Sequence, residues 1–372
     1  MSTALDPRGA RRVDELRIKE TQNSLAFGAE TFRGQGSPIW STLAAQAAED
    51  REIVEIAACG KDPLQMFTIA AAGYVASKYP DEPLSRYLPV DASPPAAPEG
   101  AYAPFRAFVL GHREEILDVI TMRSVQSTSV ERAASVVPLL DYVADLAGEP
   151  LNLIEIGSSA GFLTLFDRYL YDYGPHGRVG DPDAAVVVPG KLVGPRARAP
   201  KRMPKIADRV GLDLHPIQLD SADERRWLMS QIYPEWIDAR ARMITAMGVV
   251  EKAKLPTIEG DATLAMPAQL QRMQGPLCVL HSACLYYFPD EARALLDSQL
   301  RQASRERVIH RIGIEPPHDY GKWARVAAEG GQSMDGRQVQ FTATHTVYEE
   351  GEARSQVVAI CERYGMWMEW LV

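Results

Sequence analysis

L-N-L-I-E-I-G-S-S-A-G-F-L-T-L, residues 151–165, is the stretch of the chain that decides the fold. Its first part, Asn152–Ile156, is dominated by leucine and isoleucine and runs into a glycine, as expected of a buried strand that ends at a sharp turn. From Gly161 onwards, a second apolar run has the spacing of the inner face of a helix. The stretch therefore predicts a strand, a glycine-rich turn and a helix.

The turn in this stretch follows an acidic residue at the end of the predicted strand, where open α/β sheets bind ligands. Small residues let a ligand approach the backbone, and a helix that begins there offers unpaired N–H groups. The pattern E-x-G-x-S-x-G resembles the first motif of class I S-adenosylmethionine-dependent methyltransferases, with a serine where a glycine is most common. The residues that this resemblance assigns to cofactor binding are Glu155, Gly157, Ser158, Ser159 and Gly161.

Two other interpretations of the same turn stay open. Gly157–Gly161 also matches G-x-S-x-G, the nucleophile elbow of α/β-hydrolases, with Ser159 as the nucleophile of a serine hydrolase. A purely structural turn is the third interpretation, because a strand-to-helix connection in any α/β protein needs small residues. The hydrolase fits less well, since its elbow should follow several strands and the chain before residue 148 is predicted to be helical. Its triad would take Asp261 and one of His281, His310, His318 and His345.

Composition narrows the class of partner. The chain has 372 residues, of which 46% are hydrophobic, so it can bury a large core in one or two domains. Its net charge of −9 argues against general affinity for nucleic acid or for anionic membranes. We therefore expect a small-molecule substrate, with neither nucleic acid nor membrane as a partner; a homo-oligomer stays possible.

Cysteine and histidine usage points to a reduced compartment without a metal site. The four cysteines form no C-x-x-C pair, no apolar signal segment follows the start, and no apolar run reaches the ~18 residues that span a bilayer. The seven histidines have neither H-x-H nor H-E-x-x-H spacing, so no metal is expected. A cytoplasmic location is the prediction that fits best.

The chain is expected to divide near residue 148. Residues 1–148 are predicted to form a helical domain, with a proline-rich loop over 80–104. Gly148-Glu149-Pro150 then marks a change to alternating strands and helices, so 149–372 are expected to form a Rossmann-like sheet with helices on both faces. The helical domain would act as a lid that closes over the site and excludes water, which suits a small substrate.

A polar segment of the helical half, M-R-S-V-Q-S-T at 122–128, is neither amphipathic nor turn-like. One interpretation is a plain connection between two helices. The other is a loop that reaches over the ligand, with Arg123 and Gln126 as hydrogen-bond donors to the cofactor.

The second marker of a nucleotide site is the short strand that ends at Asp213, followed by Leu214. A carboxylate at such a strand end accepts hydrogen bonds from both ribose hydroxyls in dinucleotide-type folds. The usual distance from the glycine-rich turn is about 20 residues, and a hairpin inserted at about 178–205 would account for the longer separation here. Asp181 is nearer the usual distance but follows no strand, so it ranks second.

The third and fourth markers lie after two further predicted strands. Thr257–Glu259 is followed by Gly-Asp, and the methyltransferase resemblance assigns contact with the adenine amino group to Asp261, with Ala262 beside it. Leu277–Leu280 ends in H-S-A-C-L-Y-Y-F, where His281 is a candidate general base. Tyr286 or Tyr287 could border the sulfonium group or donate a hydrogen bond. The alternative for His281 is a buried, hydrogen-bonded histidine without a catalytic role.

The order of these markers favours a methyltransferase-like fold over the alternatives, and an NAD dehydrogenase would need G-x-G-x-x-G where the chain has G-x-x-x-G. The whole chain also resembles domain-of-unknown-function family 2332, on the residues P-F-R-A-F at 104–108, M-R-S-V-Q-S at 122–127, E-I-G-S-S-A-G-F-L-T-L-F-D-R-Y at 155–169, Y-D-Y-G at 171–174, G-D-P at 180–182, G-L-D-L-H-P at 211–216 and H-S-A-C-L-Y-Y at 281–287. That resemblance implies a methyltransferase-like fold and no substrate. Methyl transfer from S-adenosyl-L-methionine to an N, O or C acceptor is therefore the expected reaction. The alternatives are a protein that uses this cofactor for other chemistry and a protein that binds it as a sensor.

Overall fold

A computed structural model describes residues 13–61, 66–126, 128–148, 150–317 and 341–372. The chain forms two compact units. The helical unit comprises residues 1–127 and 221–244, and the sheet unit comprises 128–220 and 245–372. The units differ from the predicted division at residue 148, because the helix before that residue groups with the sheet and a later helical segment groups with the N-terminal helices.

Helices account for the regular structure described in the helical unit. The most apolar of them, Phe67–Ala76, is buried along its whole length, and the proline-rich stretch after it contains only a 3-10 turn, Pro83–Arg86, before the next helix begins at Tyr102. The irregular loop predicted from the prolines is thus confirmed up to that residue. The helices of the chain are α1 Glu15–Gly34, α2 Pro38–Glu49, α3 Arg51–Ala58, α4 Phe67–Ala76, α5 Tyr102–Gly111, α6 Arg113–Met122, α7 Ala133–Ala147, α8 Ala222–Ser230, α9 Ile237–Ala253, α10 Ala262–Arg272 and α11 Asp290–Ala303.

The sheet unit contains a nine-stranded sheet and a three-stranded sheet. The nine strands lie in the order β5-β12-β11-β10-β9-β8-β1-β6-β7, and the other sheet has the order β3-β2-β4. The strands are β1 Leu151–Ile156, β2 Leu170–Asp172, β3 Arg178–Val179, β4 Val187–Pro189, β5 Leu192–Val193, β6 Ile206–Asp213, β7 Thr257–Glu259, β8 Leu277–Ser282, β9 Ile309–Glu315, β10 Phe341–Glu349, β11 Glu352–Cys361 and β12 Met368–Trp370.

Five neighbouring strands of the large sheet, β7-β6-β1-β8-β9, are parallel. Numbered by their order along the chain, they run 3-2-1-4-5, so the strand order reverses beside β1. Open α/β sheets bind ligands at the carboxyl ends of the strands where the order reverses. The mostly parallel α/β sheet predicted from the sequence is confirmed.

Helices cover both faces of this sheet. On β10, His345 faces α7, because its ring contacts the Tyr142 ring at 5.3 Å, whereas the Tyr348 hydroxyl donates to Asp297 of α11 at 2.7 Å on the opposite face. A buried cluster on the second face joins Ile154, Ile156, Val210, Leu212 and Val279 of the strands to Met266, Leu270, Leu296 and Leu300 of α10 and α11.

Two local predictions are wrong. The hairpin expected within 178–205 does not form, because β4 pairs with β2 in the small sheet whereas β5 pairs with β12 in the large one. The helix expected after Gly161 is also missing: residues 157–165 form consecutive turns, followed by a 3-10 turn at Phe166–Arg168. At the C-terminus, β10 and β11 do form an antiparallel hairpin, and β12 and β5 extend the sheet beyond it.

Candidate functional site

Asp213 joins two of the predicted cofactor segments at the carboxyl edge of the sheet. Its Oδ2 accepts a hydrogen bond from the Ser159 amide at 2.7 Å, and its Oδ1 accepts from the His215 amide at 2.9 Å. Its backbone carbonyl accepts from the Gly260 amide at 2.8 Å. Asp213, the second marker, is therefore bonded to the first marker at Ser159. It is also bonded to Gly260, the residue that precedes the third marker, Asp261.

The glycine-rich turn approaches its neighbours closely. A Cβ at Gly157 would stand 2.3 Å from the Cys284 sulfur, and a Cβ at Gly161 would stand 2.5 Å from a methyl carbon of Leu255. Both glycines have positive φ, +74° and +88°, and Ser159 between them has a φ of +52°. Left-handed backbone at a serine is strained, and the close contacts leave no room for a side chain at either glycine.

Ser158 occupies the space that a glycine leaves on the neighbouring strand. Gly211 of β6 pairs with Glu155 of β1, and a Cβ on Gly211 would stand 2.4 Å from the Ser158 hydroxyl oxygen. That hydroxyl is buried and has no hydrogen-bond partner among the residues that the structure describes. Because buried polar atoms normally have a partner, this hydroxyl is a candidate hydrogen-bonding group for a bound ligand.

Glu155 is buried on β1 and turned towards the chain that follows the glycine-rich turn. Its Oε2 accepts a hydrogen bond from the Thr164 hydroxyl. Burial raises the pKa of Glu155 to about 8, and the nearby Asp213 charge adds to the rise, whereas Thr164 and Arg132 oppose it. The carboxyl group is thus mostly neutral at pH 7 and holds Thr164 in place.

Asp261 begins α10 as its N-cap. Its Oδ1 accepts from both the Thr263 amide and the Thr263 hydroxyl at 2.8 Å, while its side chain lies at the surface. Ala262 is buried in the core beside it, whereas Leu214, after Asp213, is largely exposed. The helix cap accounts for one carboxylate oxygen of Asp261 and leaves the other available.

His281, which is buried, forms a pair with the partly buried Glu315 at the ends of β8 and β9. The Nδ1 atom of His281 lies 2.8 Å from Glu315 Oε1, and the Glu315 carboxylate also accepts from the amides of Cys284 and Leu285 at 3.0–3.2 Å. Burial lowers the pKa of His281, which the Glu315 carboxylate partly offsets. The neutral imidazole is therefore favoured near pH 7.

Tyr286 lies on the 3-10 turn Leu285–Tyr287 that follows β8. Its ring is half-buried, with its centroid 3.9 Å from that of Tyr287, and burial raises the pKa of its hydroxyl well above the ordinary value. The hydroxyl thus stays protonated and can donate a hydrogen bond.

Arg123 and Gln126 are engaged within the helical unit. The Arg123 guanidinium forms ion pairs with Asp223 and, at 2.9 Å, with Glu224, and it also lies over the Tyr74 ring at 4.8 Å. The Gln126 amide donates to the Gln231 side chain at 2.7 Å. These contacts attach the polar segment to α8, and a role of either residue in cofactor binding stays a prediction.

The histidines of the hydrolase alternative have other contacts. His281 bonds Glu315, and His310 Nδ1 lies 2.9 Å from His345 Nε2 across β9 and β10. His318 lies outside the described residues. The positive φ of Ser159 is compatible with a nucleophile elbow, but the contacts of these three histidines join them to partners other than Ser159.

A cavity of about 1190 Å³ lies at the opposite, amino edge of the sheet. Four glutamine side chains contribute to its polar lining, and none of the residues predicted to bind the cofactor is among those that line it. The cavity thus lies apart from the strand ends at which the sequence markers converge. Its lining includes Gln271, Gln274, Gln299, Gln302 and His310.

At the carboxyl edge of the sheet, Glu315 is the main residue for which no role was predicted. The sequence does contain a signal for Glu315: it is an acid at the end of strand β9, and an acid at a strand end is the feature that selected Asp213. Thr164, Cys284 and Gly211 gave no comparable signal, since their importance comes from contacts between segments distant in the chain.

Neither a metal cluster nor a membrane span is found in the described part of the chain. Over residues 13–61, 66–126, 128–148, 150–317 and 341–372, no group of three histidine, cysteine or acidic side chains could hold an ion. Over the same ranges, every helix is too short or too polar to cross a bilayer.

Comparison with known proteins places residues 22–370 in one family. The matching family model is described as "Uncharacterized protein conserved in bacteria (DUF2332)". No curated protein matches the chain. The match spans nearly the whole sequence and thus covers both units.

Proposed function

The chain belongs to domain-of-unknown-function family 2332, and we propose that it binds S-adenosyl-L-methionine at the carboxyl ends of β1, β6 and β7 and transfers a methyl group to a small-molecule acceptor. In this proposal the parallel strands form a Rossmann-like sheet of the class I methyltransferase kind. The observation that carries it is the bonding of Asp213 to both the Ser159 amide and the Gly260 amide, beside the point where the strand order reverses.

Several side chains fit such a cofactor. Each carboxylate oxygen of Asp213 accepts one backbone amide and has further lone pairs for ribose hydroxyls. The second oxygen of Asp261 would accept from the adenine amino group. The Ser158 hydroxyl, buried without a described partner, would gain one from the bound cofactor. Glu155 would act by holding Thr164 and the turn, because its carboxyl group already bonds that residue.

The absence of a helix after the glycine-rich turn alters one part of the expected mechanism. Residues 157–165 form turns, so the N-terminus of a helix does not contribute its dipole there. The amides of Gly157 and Ser159 are already bonded to Leu212 and Asp213. Binding in this proposal therefore depends on side-chain acceptors and close backbone approach.

When bound, S-adenosylmethionine supplies an electrophilic methyl group. The chain's own contribution is to hold the acceptor in line with that methyl group and to remove a proton where the acceptor carries one. His281 is the proposed base, and the Tyr286 hydroxyl is proposed to donate a hydrogen bond to the acceptor. Closure of the helical half over the site stays a prediction.

Thermal unfolding in the presence of the cofactor tests this proposal. S-adenosylmethionine and S-adenosylhomocysteine at a hundred times their dissociation constants should stabilise the fold by about 2.7 kcal/mol. Asp213→Ala should abolish that rise in melting temperature. Asp208→Ala is the matched control, because Asp208 lies on the same strand but pairs with Arg272 and should leave the rise intact.

The products distinguish the remaining alternatives. Methylthioadenosine in place of S-adenosylhomocysteine would indicate attack within the cofactor, and binding without turnover in any extract would indicate a sensor. If neither compound shifts the melting temperature, the methyltransferase proposal fails. Labelling of Ser159 by a serine-reactive probe would then support the hydrolase.

A further inference from the structure

His281 lies in a defined place at the carboxyl edge of the sheet. It pairs in register with Gly313 of the neighbouring strand β9, and Glu315 is two residues further along that strand. A Cβ on Gly313 would stand 2.4 Å from Cε1 and 2.7 Å from Nε2 of the imidazole. The ring therefore lies across the backbone of Gly313, in space that exists only because that residue has no side chain.

Glu315 acts as an acceptor for three donors. The amides of Cys284 and Leu285 donate to its carboxylate, and the same Oε1 atom lies 2.8 Å from Nδ1 of His281. Because an ionised carboxylate can only accept hydrogen bonds, the imidazole has to carry its proton on Nδ1. The other nitrogen, Nε2, then has a lone pair, and it has no hydrogen-bond partner among the residues described.

We propose that Glu315 is a positioning residue that holds His281 as a base acting through Nε2. This inference rests on the proposed function, because methyl transfer to a protonated acceptor requires a base. The proton on an acceptor's hydroxyl or ammonium group passes to Nε2, the lone pair of Nε2 becomes the new N–H bond, and the bonding electrons stay on the acceptor atom. The substrate class is thus a small molecule whose acceptor atom carries an O–H or N–H proton.

The charges around His281 suit this role. Burial lowers the pKa of the imidazole, the Glu315 carboxylate raises it, and the Arg311 guanidinium on the same strand lowers it. The ring is therefore neutral and able to accept a proton near pH 7. Once protonated, the imidazolium faces the Glu315 carboxylate, which stabilises its charge.

Nitrogen NMR on the full chain labelled at histidine tests the proposal without any cofactor. We expect the wild-type protein to have the Nδ1–H tautomer at His281, with the signal assigned from its loss in His281→Asn. In Glu315→Gln the amide oxygen can still accept the same hydrogen bonds, but the charge is gone. The pKa of His281 should then fall by about one unit or more. Glu259→Gln, at the end of β7, is the matched control and should leave the pKa of His281 unchanged.

Reaction with diethyl pyrocarbonate tests whether Nε2 can be reached. This reagent attacks an unprotonated imidazole nitrogen, so peptide mass spectrometry should find His281 modified at a rate that rises with pH along its own titration. In Glu315→Gln the profile should move to lower pH. The exposed His176 is the internal reference for reagent activity.

Three results would overturn the inference. They are an Nε2–H tautomer in the wild type, an unmodified His281 while His176 reacts, and an unchanged pKa of His281 in Glu315→Gln, which would leave Glu315 only a structural role. The tautomer and the modification of His281 are measured on the wild type, with His281→Asn needed only to assign the signal. The proposal can therefore be refuted even if Glu315→Gln does not fold. None of these readouts depends on cofactor binding, so failure here is distinct from failure of the proposed function.

Discussion

Two strand ends of the same sheet begin with similar sequences and continue differently. After β1, Gly157 is followed by small residues and an apolar run, yet residues 157–165 form only turns. After β7, Gly260 is likewise followed by small and apolar residues, and these form the regular helix α10. The difference lies in which groups satisfy the backbone at each junction.

At the second junction the sequence caps its own helix. Asp261 accepts from the Thr263 amide, which is one of the unpaired donors of the first turn. At the first junction the corresponding acceptor comes from another strand, because the Ser159 amide donates to Asp213 of β6. Ser159 is held there with a positive φ, which a right-handed helix does not allow.

Side chains from the strands then hold the first segment in its irregular form. Glu155 bonds the Thr164 hydroxyl, and Arg209 of β6 donates to the Thr164 carbonyl at 2.9 Å. The same guanidinium binds both oxygens of Asp167 at 2.6 Å. A helix spanning these residues would need the carbonyl that Arg209 already occupies. Long-range contacts thus determine the backbone after β1, and local capping determines it after β7.

The largest loss of folding stability is expected when a side chain is added at Gly157, in the first junction. Gly157→Ala places a Cβ 2.3 Å from the Cys284 sulfur in left-handed backbone, so overpacking and strain should together cost about 4 kcal/mol. Gly260→Ala has positive φ but no atom within 4 Å of the new Cβ, so it should cost about 1 to 2 kcal/mol. Urea unfolding measures both. Equal losses would show that the approach of Cys284 is unimportant.

The second-largest effect is a dependence of folding stability on pH, caused by the buried Glu155 carboxyl group that holds Thr164. The pKa of Glu155 is about 8 in the folded chain against an ordinary value of 4.5, so the folded state binds more protons than the unfolded state between these values. The stability that the neutral group contributes is complete below pH 4.5 and is lost as the pH rises to about 8. Glu155→Gln keeps a neutral side chain of the same shape and removes this dependence.

Urea unfolding of wild type and Glu155→Gln from pH 5 to pH 8 measures the difference. The variant should gain stability relative to the wild type as the pH rises, by roughly 3 kcal/mol in all, since each unit of pKa shift corresponds to about 1.4 kcal/mol. Parallel curves would mean that Glu155 is ionised throughout this range, contrary to its burial beside Asp213.

The smallest effect is expected at the capped helix. Asp261→Ala removes the N-cap of α10 and should cost about 1 kcal/mol, whereas Asp261→Asn retains an acceptor for the Thr263 amide and should cost less. Hydrogen exchange should report faster opening of the first turn of α10 and little change near Thr164. A similar change at both places would mean that the two junctions unfold together.

The sequence predicted the parallel strands and their acidic ends because these features are local. Short runs that stop at a glycine or at an acid identify β1, β6 and β7, and the apolar run that stops at His281 identifies β8. Their order along the chain gives the α/β class. Asp213 and the turn at Gly157 were found in this way, and the structure brings them into contact.

The features that the sequence did not reveal depend on partners distant in the chain. The apolar spacing after Gly161 suits a helix, but Arg209 and Glu155 bond that segment from other strands. The 178–205 segment has hairpin signals, yet its last strand, Leu192–Val193, adds to the C-terminal strand β12 instead. The pairing of His281 with Glu315 likewise needs the register of β8 with β9, which no local pattern encodes.

Calorimetric titration of S-adenosylhomocysteine into the full chain tests most directly whether the edge centred on Asp213 binds an adenosyl cofactor. We expect saturable binding by the wild type and by Asp208→Ala. Asp213→Asn, which retains an acceptor for the turn, should bind about 10 to 100 times more weakly, because charge-assisted hydrogen bonds contribute about 1.5–3 kcal/mol. Absence of binding by the wild type, or equal affinity in Asp213→Asn, would contradict this account of the site.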